Sequence, residues 1–138
     1  RNPKSTRPWQ HVLEPVSGYL KLGVLLMRKQ LSSKIVPNWN FGPPANNQKT
    51  VREITNLIKK EWGNNSKKIK ITKSKKFKES KLLALNINKA KRELKWKPKL
   101  GLKNTIRFTV DWYKRYFEKV DMSKVTTEQI KAFSSLKD

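Results

Sequence analysis

The sequence has no cysteine and a single histidine, His11. Disulfides, thiolate nucleophiles, Cys-ligated zinc and a metal site built from several histidines are therefore excluded. Acidic residues are scarce as well: ten Asp and Glu stand against 33 Lys and Arg, for a net charge of +23. Glu53, Glu61, Glu93 and Glu118 read as helix-surface positions, which leaves little for a paired-carboxylate acid/base site. Long apolar runs are missing. The longest, Val24 to Met27, is far short of the ~20 residues that cross a bilayer, and the Arg1 end has no charged-then-apolar secretory pattern. The expectation is a soluble, cytoplasmic chain with no membrane partner. The five glycines fall in no Gly-x-Gly-x-x-Gly or Gly-x-x-x-x-Gly-Lys-Ser/Thr loop, and Tyr-x-x-x-Lys and His-Glu-x-x-His are also absent. A self-contained nucleotide-dependent catalyst is not expected from such a chain.

What is present begins with length. A chain of 138 residues makes one domain and can bury about 68% of its unfolded surface. Its mean hydropathy of −0.80 is low, yet five Trp, three Tyr and five Phe are more large aromatics than disordered chains carry. The positive charge comes from 26 lysines and only seven arginines. Readers of nucleic acid favour arginine for its bidentate geometry, whereas lysine spread over solvated faces also follows from compositional bias, which the Ile, Asn and Lys richness fits. The densest run, Lys67 to Lys81, holds eight lysines that could bind phosphate backbone without sequence preference. A solvated loop explains it as well, and Ile69 and Ile71 suggest a strand with alternate side chains buried. Nucleic acid is accordingly the rival partner and not the expected one.

Punctuation along the chain predicts its elements. Glu14 and Pro15 open a helix to about Lys29, with Val16, Leu20, Val24 and Met27 at helical spacing. Trp39 to Phe41 reads as a short buried strand before the Gly42-Pro43-Pro44 break. Thr50 and Glu53 form a capping box for a second helix that buries Val51, Ile54, Leu57 and Ile58 and stops at Gly63. Leu82 to Leu85 reads as another strand, Asn88 as the cap of a brief helix through Leu94, and Leu102, Ile106, Val110, Tyr113 and Phe117 as one face of a long helix. Residues 1–120 are taken as one unit and 121–138 as a tail with a short helix starting near Thr126 or Thr127. The fold class expected is α/β.

One cluster carries chemistry. Arg7-Pro8-Trp9-Gln10-His11 places a bidentate anion binder, an aromatic plane and an imidazole within five residues, just ahead of a helix. The same residues could equally be packed strand positions with Arg7 as a surface charge, and spacing alone leaves both open.

The stretch Arg1 to Pro15, continued by Ser17-Gly18-Tyr19-Leu20, closely resembles a signature of CDP-glucose 4,6-dehydratases, members of the extended short-chain dehydrogenase/reductase superfamily. Trp39-Asn40-Phe41-Gly42-Pro43, Glu61-Trp62-Gly63, Lys89-Ala90, Leu94-x-Trp96-x-Pro98, Asp111-Trp112-Tyr113, Asp121-Met122 and Gln129-Ile130 are similar to the same family in the same order. The resemblance implies the C-terminal, substrate-binding portion of such an enzyme, with the NAD-binding Rossmann half largely absent. It implies a reaction that converts CDP-glucose to CDP-4-keto-6-deoxyglucose plus water, in deoxysugar and lipopolysaccharide-type biosynthesis. NAD would be held by the missing N-terminal half, which is also the implied partner, and the full enzyme is expected to be a homo-oligomer. The chain begins with Arg inside what looks like a motif, so a fragment is expected, inactive alone and without catalytic or metal-binding residues of its own. The resemblance assigns substrate contacts to Arg7, on the diphosphate, and to Glu79, on the ribose, with His11, Arg1 and Asn40 beside them. Asn86 stands where the family usually has Asp, and Lys78 where it often has His.

Overall fold

A computed structural model of the chain describes residues 2–31, 37–63, 69–71 and 80–137. Among them are a strand β1 (Thr6–Pro8), helix α1 (Leu13–Met27), a 3-10 turn (Ala45–Asn47), strand β2 (Gln48–Thr50) and helices α2 (Val51–Trp62), α3 (Asn88–Glu93), α4 (Leu102–Phe117) and α5 (Met122–Ser134). The two strands pair antiparallel, with Arg7 opposite Lys49. The result is mixed helix with a small sheet, in keeping with part of an α/β fold. No described helix is long and apolar enough to cross a membrane.

The helix α2 begins where the sequence says it should. The Thr50 hydroxyl accepts from the Glu53 N–H at 3.2 Å while Glu53 accepts from the Thr50 N–H at 2.8 Å, so two otherwise orphaned donors are satisfied reciprocally. At its other end Gly63 takes φ +90, a left-handed conformation that costs glycine nothing. Of the predicted inner face Ile54 is buried and Val51 and Ile58 half-buried, but Leu57 is exposed.

Two apolar clusters hold the chain together. Ile54 of α2 meets Ile106 and Val110 of α4, with Trp9, Ile58, Trp62 and Leu102 around them. Phe41, Ile87, Ala90, Leu94 and Trp96 form the second, closed by Leu22 and Leu25 of α1 and by Leu31 and Trp39. Phe41 stands edge-on to Trp96 at 5.0 Å and packs on Gly18, where a Cβ would lie 2.3 Å from its ring. α4 also packs on α5, which buries Val125 and Phe133.

Several local expectations change. Trp39 to Phe41 is a loop, because Trp39 and Phe41 are anchored by the α1 and α3 side chains and by a Trp39 bond to Glu93, without a strand partner. Leu82 to Leu85 shrinks to a single bridge from Leu82 to Thr6, and Leu82 and Leu83 are exposed. Ile69 and Ile71 are also exposed and in no regular element. Asn88 is the first residue of α3 and not its cap: the N-cap position is Ile87, and the Asn86 Oδ1 just before it accepts from the Asn88 N–H at 2.9 Å. The final helix starts earlier than expected because the Asp121 carboxylate accepts from the Ser123 and Lys124 N–H groups. Tyr113 and Phe117 of α4 lie exposed, since the burial stripe ends at Val110.

Candidate functional site

The turn between β1 and α1, through Gln10, His11 and Val12, and the first residue of α1, Leu13, form one wall of a cavity of about 400 Å³. The opposite walls are Thr109, Trp112 and Tyr113 of α4 and Thr126 and Gln129 of α5. Each wall is held in place locally. Gln10 donates to the Phe41 carbonyl at 3.0 Å, Trp112 donates its indole N–H to the Thr126 hydroxyl at 3.1 Å, and Gln129 donates to the Phe108 carbonyl at 2.9 Å. Arg115 strengthens the α4 to α5 contact by reaching both Asp111 and Glu128. The Gln10 Oε1 atom is buried and has no partner among the described residues.

His11 is the titratable heart of this wall. Its ring is buried, edge-on to Phe108 at 5.6 Å, and its Nδ1 accepts from the Leu13 N–H at 3.3 Å. That bond places the proton of the neutral imidazole on Nε2. Burial pushes the pKa below its ordinary 6.5, because an imidazolium loses its hydration there. No carboxylate, lysine or serine lines the cavity. Its walls are aromatic and apolar with a few fixed amides, and the groups among them that could move a proton are the His11 imidazole and the hydroxyls of Thr109, Tyr113 and Thr126.

Arg7 and Asn40 lie elsewhere. Arg7 is half-buried on β1, and its Nη1 donates to the Thr6 and Ser80 carbonyls at 2.7 and 3.0 Å. The guanidinium thus helps hold the residue 80 segment against the sheet, beside backbone bonds from Thr6 to Lys81 and from Leu83 to Thr6. Asn40 is exposed and donates to the Asn86 carbonyl at 3.4 Å. Neither residue lines the cavity around His11. Arg1 and Glu79 lie outside the described residues, as does most of the Lys67 to Lys81 run; its Lys70 and Lys81 are exposed. No group of three His, Cys, Asp or Glu capable of holding a metal ion occurs among the described residues.

The residue that sequence reasoning undervalued is Glu14, read there only as a helix opener. It is fully buried, and its carboxylate accepts from the Lys99 N–H at 2.9 and 3.1 Å and from the Leu100 N–H. Burial raises its pKa above the ordinary 4.5, outweighing the two backbone donors and the Lys99 charge. Glu14 ties the start of α1, and so the His11 wall, to the segment that launches α4. Thr109, Trp112, Thr126 and Gln129 were also not singled out as site residues. They sit on two helices and meet only once α5 folds onto α4, a contact with no local signal.

No family model matches the chain. Over 135 residues it is 35% identical to CDP-glucose 4,6-dehydratase of Salmonella typhimurium. That match takes in 98% of this chain but 37% of the Salmonella protein, so the chain spans a little over a third of the length of the curated relative it resembles. Identity of this extent along nearly the whole chain supports a relationship to the short-chain dehydrogenase/reductase family, in line with the motifs read from the sequence.

Proposed function

We propose that the chain is the sugar-nucleotide-binding portion of an NAD-dependent CDP-glucose 4,6-dehydratase. It would act with a further, Rossmann-type part of the enzyme that holds NAD and the catalytic residues, in a cytoplasmic homo-oligomer. The observation that carries this reading is the 35% identity to a CDP-glucose 4,6-dehydratase over 98% of the chain. The structure is compatible with it, since the described residues form a cavity of small-molecule size beside the turn that carries His11. In this reading the Arg7 guanidinium is the leading contact to the diphosphate, for which its planar fork is suited. Arg1, Asn40 and Glu79 contribute nearer the sugar and ribose, and His11 acts as a neutral, buried wall.

Saturation-transfer NMR of the chain with CDP-glucose, UDP-glucose and duplex DNA tests this. Transfer to the cytosine and ribose protons of CDP-glucose is expected, competed by CDP and little changed by salt. The net charge of +23 favours one other outcome, binding to any phosphate backbone. In that case affinity for DNA falls with a log–log salt slope of about 0.9 per phosphate contacted, with no preference for cytidine. That result would overturn the proposal.

A further inference from the structure

A second cavity, of about 460 Å³, opens between α4 and α5, with Leu100, Phe108, Ala132 and Leu136 as its apolar lining. Its walls are set from outside. The buried Leu100 donates its N–H to Glu14, and the Leu136 carbonyl accepts from Lys99 Nζ at 2.8 Å. Phe108 and Gln129 stand between this cavity and the first: Phe108 is edge-on to His11 at 5.6 Å, and the Gln129 amide, which lines both, donates to the Phe108 carbonyl and to Asp111. A preformed, mostly apolar space with a few placed polar groups suits a small molecule.

The charges around it are unevenly matched. Further along α4, Arg115 reaches Asp111 at 3.2 Å and Glu128 at 2.7 Å, so two carboxylates already share that guanidinium. Nearer the start of the helix stand Asn104 and Arg107, three residues apart and therefore on one side of α4. Asp111 follows Arg107 by four residues but pairs with Arg115, in the acid-first order that a helix favours. Among the described residues the Arg107 guanidinium and the Asn104 amide have no hydrogen bond or ion pair. Both are exposed at the border of an apolar space, where a ligand can reach them at little desolvation cost.

We propose that the cavity between α4 and α5 binds a small organic carboxylate, its charged group held by Arg107 with Asn104 donating beside it and its ring or apolar body lying against Phe108, Leu100 and Leu136. The planar guanidinium fork offers two parallel donors to a carboxylate, and the apolar lining gains by covering a body that water would otherwise hydrate. Arg115 cannot take this part, because Asp111 and Glu128 occupy it. The site is separate from the residues read as binding a sugar nucleotide and stands independently of that reading.

Amide-resolved NMR of the chain with naphthoate, naphthalenemethanol and inorganic phosphate tests the assignment. Saturable shifts at Asn104, Arg107, Phe108 and Ala132 are expected with naphthoate at a dissociation constant of about 1 mM or below. The alcohol lacks the charge and phosphate lacks the body, so each should bind at least about tenfold more weakly. Arg107→Ala should weaken naphthoate binding by about tenfold or more, and Arg107→Lys by less, with circular dichroism unchanged because Arg107 is exposed. Ala132→Phe keeps Arg107 but fills the cavity from an exposed helix position, so lost binding in that variant separates the cavity from bare surface charge. Equal affinity for the alcohol or for phosphate, unchanged affinity in Arg107→Ala or Ala132→Phe, or shifts confined to Trp112 and Thr126 of the His11 cavity would overturn the inference.

Discussion

Replacing Glu14 removes the acceptor for two backbone donors at once. In Glu14→Ala the Leu100 N–H is left buried and the Lys99 N–H part-buried, neither with its present partner. An orphaned buried donor costs about 1–3 kcal/mol, so the loss should be about 4 kcal/mol out of the 5–15 kcal/mol typical of a domain. Glu14→Gln keeps one acceptor for Leu100 but turns its amide toward Lys99, and a smaller loss of about 1–2 kcal/mol is expected. Acidity separates the two effects further. The folded pKa of Glu14 lies above 4.5, so between 4.5 and that value the folded chain holds a proton that the unfolded chain has released. Its contribution is therefore fully present below pH 4.5 and declines as pH rises through the folded pKa. Urea unfolding followed by tryptophan fluorescence at several pH values from 4.5 to 7.5 measures both effects. A loss under about 1 kcal/mol in Glu14→Ala, or a fall in stability with rising pH that is as large in Glu14→Gln as in the wild type, would refute the role given to this carboxylate.

Gly18→Ala should lower stability by about 1–3 kcal/mol, since its Cβ would lie 2.3 Å from the Phe41 ring and force the Phe41 to Trp96 contact apart; an unchanged melting temperature contradicts that packing. His11 has a folded pKa below 6.5, so the unfolded chain binds the extra proton and stability falls as pH drops from 6.5 through the folded value. An NMR titration of this single histidine with a midpoint at or above 6.5 would show the opposite. Incubated with CDP-glucose and NAD, the chain alone is expected to form no 4-keto product, read by its absorbance in alkali, and robust product formation would sink the reading of a binding portion.

Where order is set within a few residues, the sequence was legible. The Thr50 and Glu53 capping box, the stop at Gly63 and the extents of α1 and α4 all follow from caps and periodicity that neighbours cannot easily override. Strands were harder, because a strand exists only by its partner. β2 (Gln48–Thr50) carries no apolar alternation and forms because Thr6 to Pro8 lies beside it, whereas the aromatic Trp39 to Phe41 has no such neighbour and stays a loop. Asn88 shows the same limit at a helix start, where the asparagine expected to cap α3 is its first residue and the accepting side chain is Asn86, two residues earlier.

The candidate site was legible in part for a different reason. The motif from Arg7 to His11 marked the right turn, but its residues diverge: the backbone of β1 sends Arg7 toward Ser80, while the turn after Pro8 carries His11 under Phe108. Side chains in one motif need not share a pocket, and the cavity is completed by α4 and α5, about 100 residues further along the chain. The apolar stripe Val16, Leu20, Val24 and Met27 shows the converse. Periodicity identified a helix face correctly but could not say what it faces, because helical spacing reports only that residues share a side. Burial assigns the inner side to Leu22 and Leu25 and leaves that stripe outward and exposed.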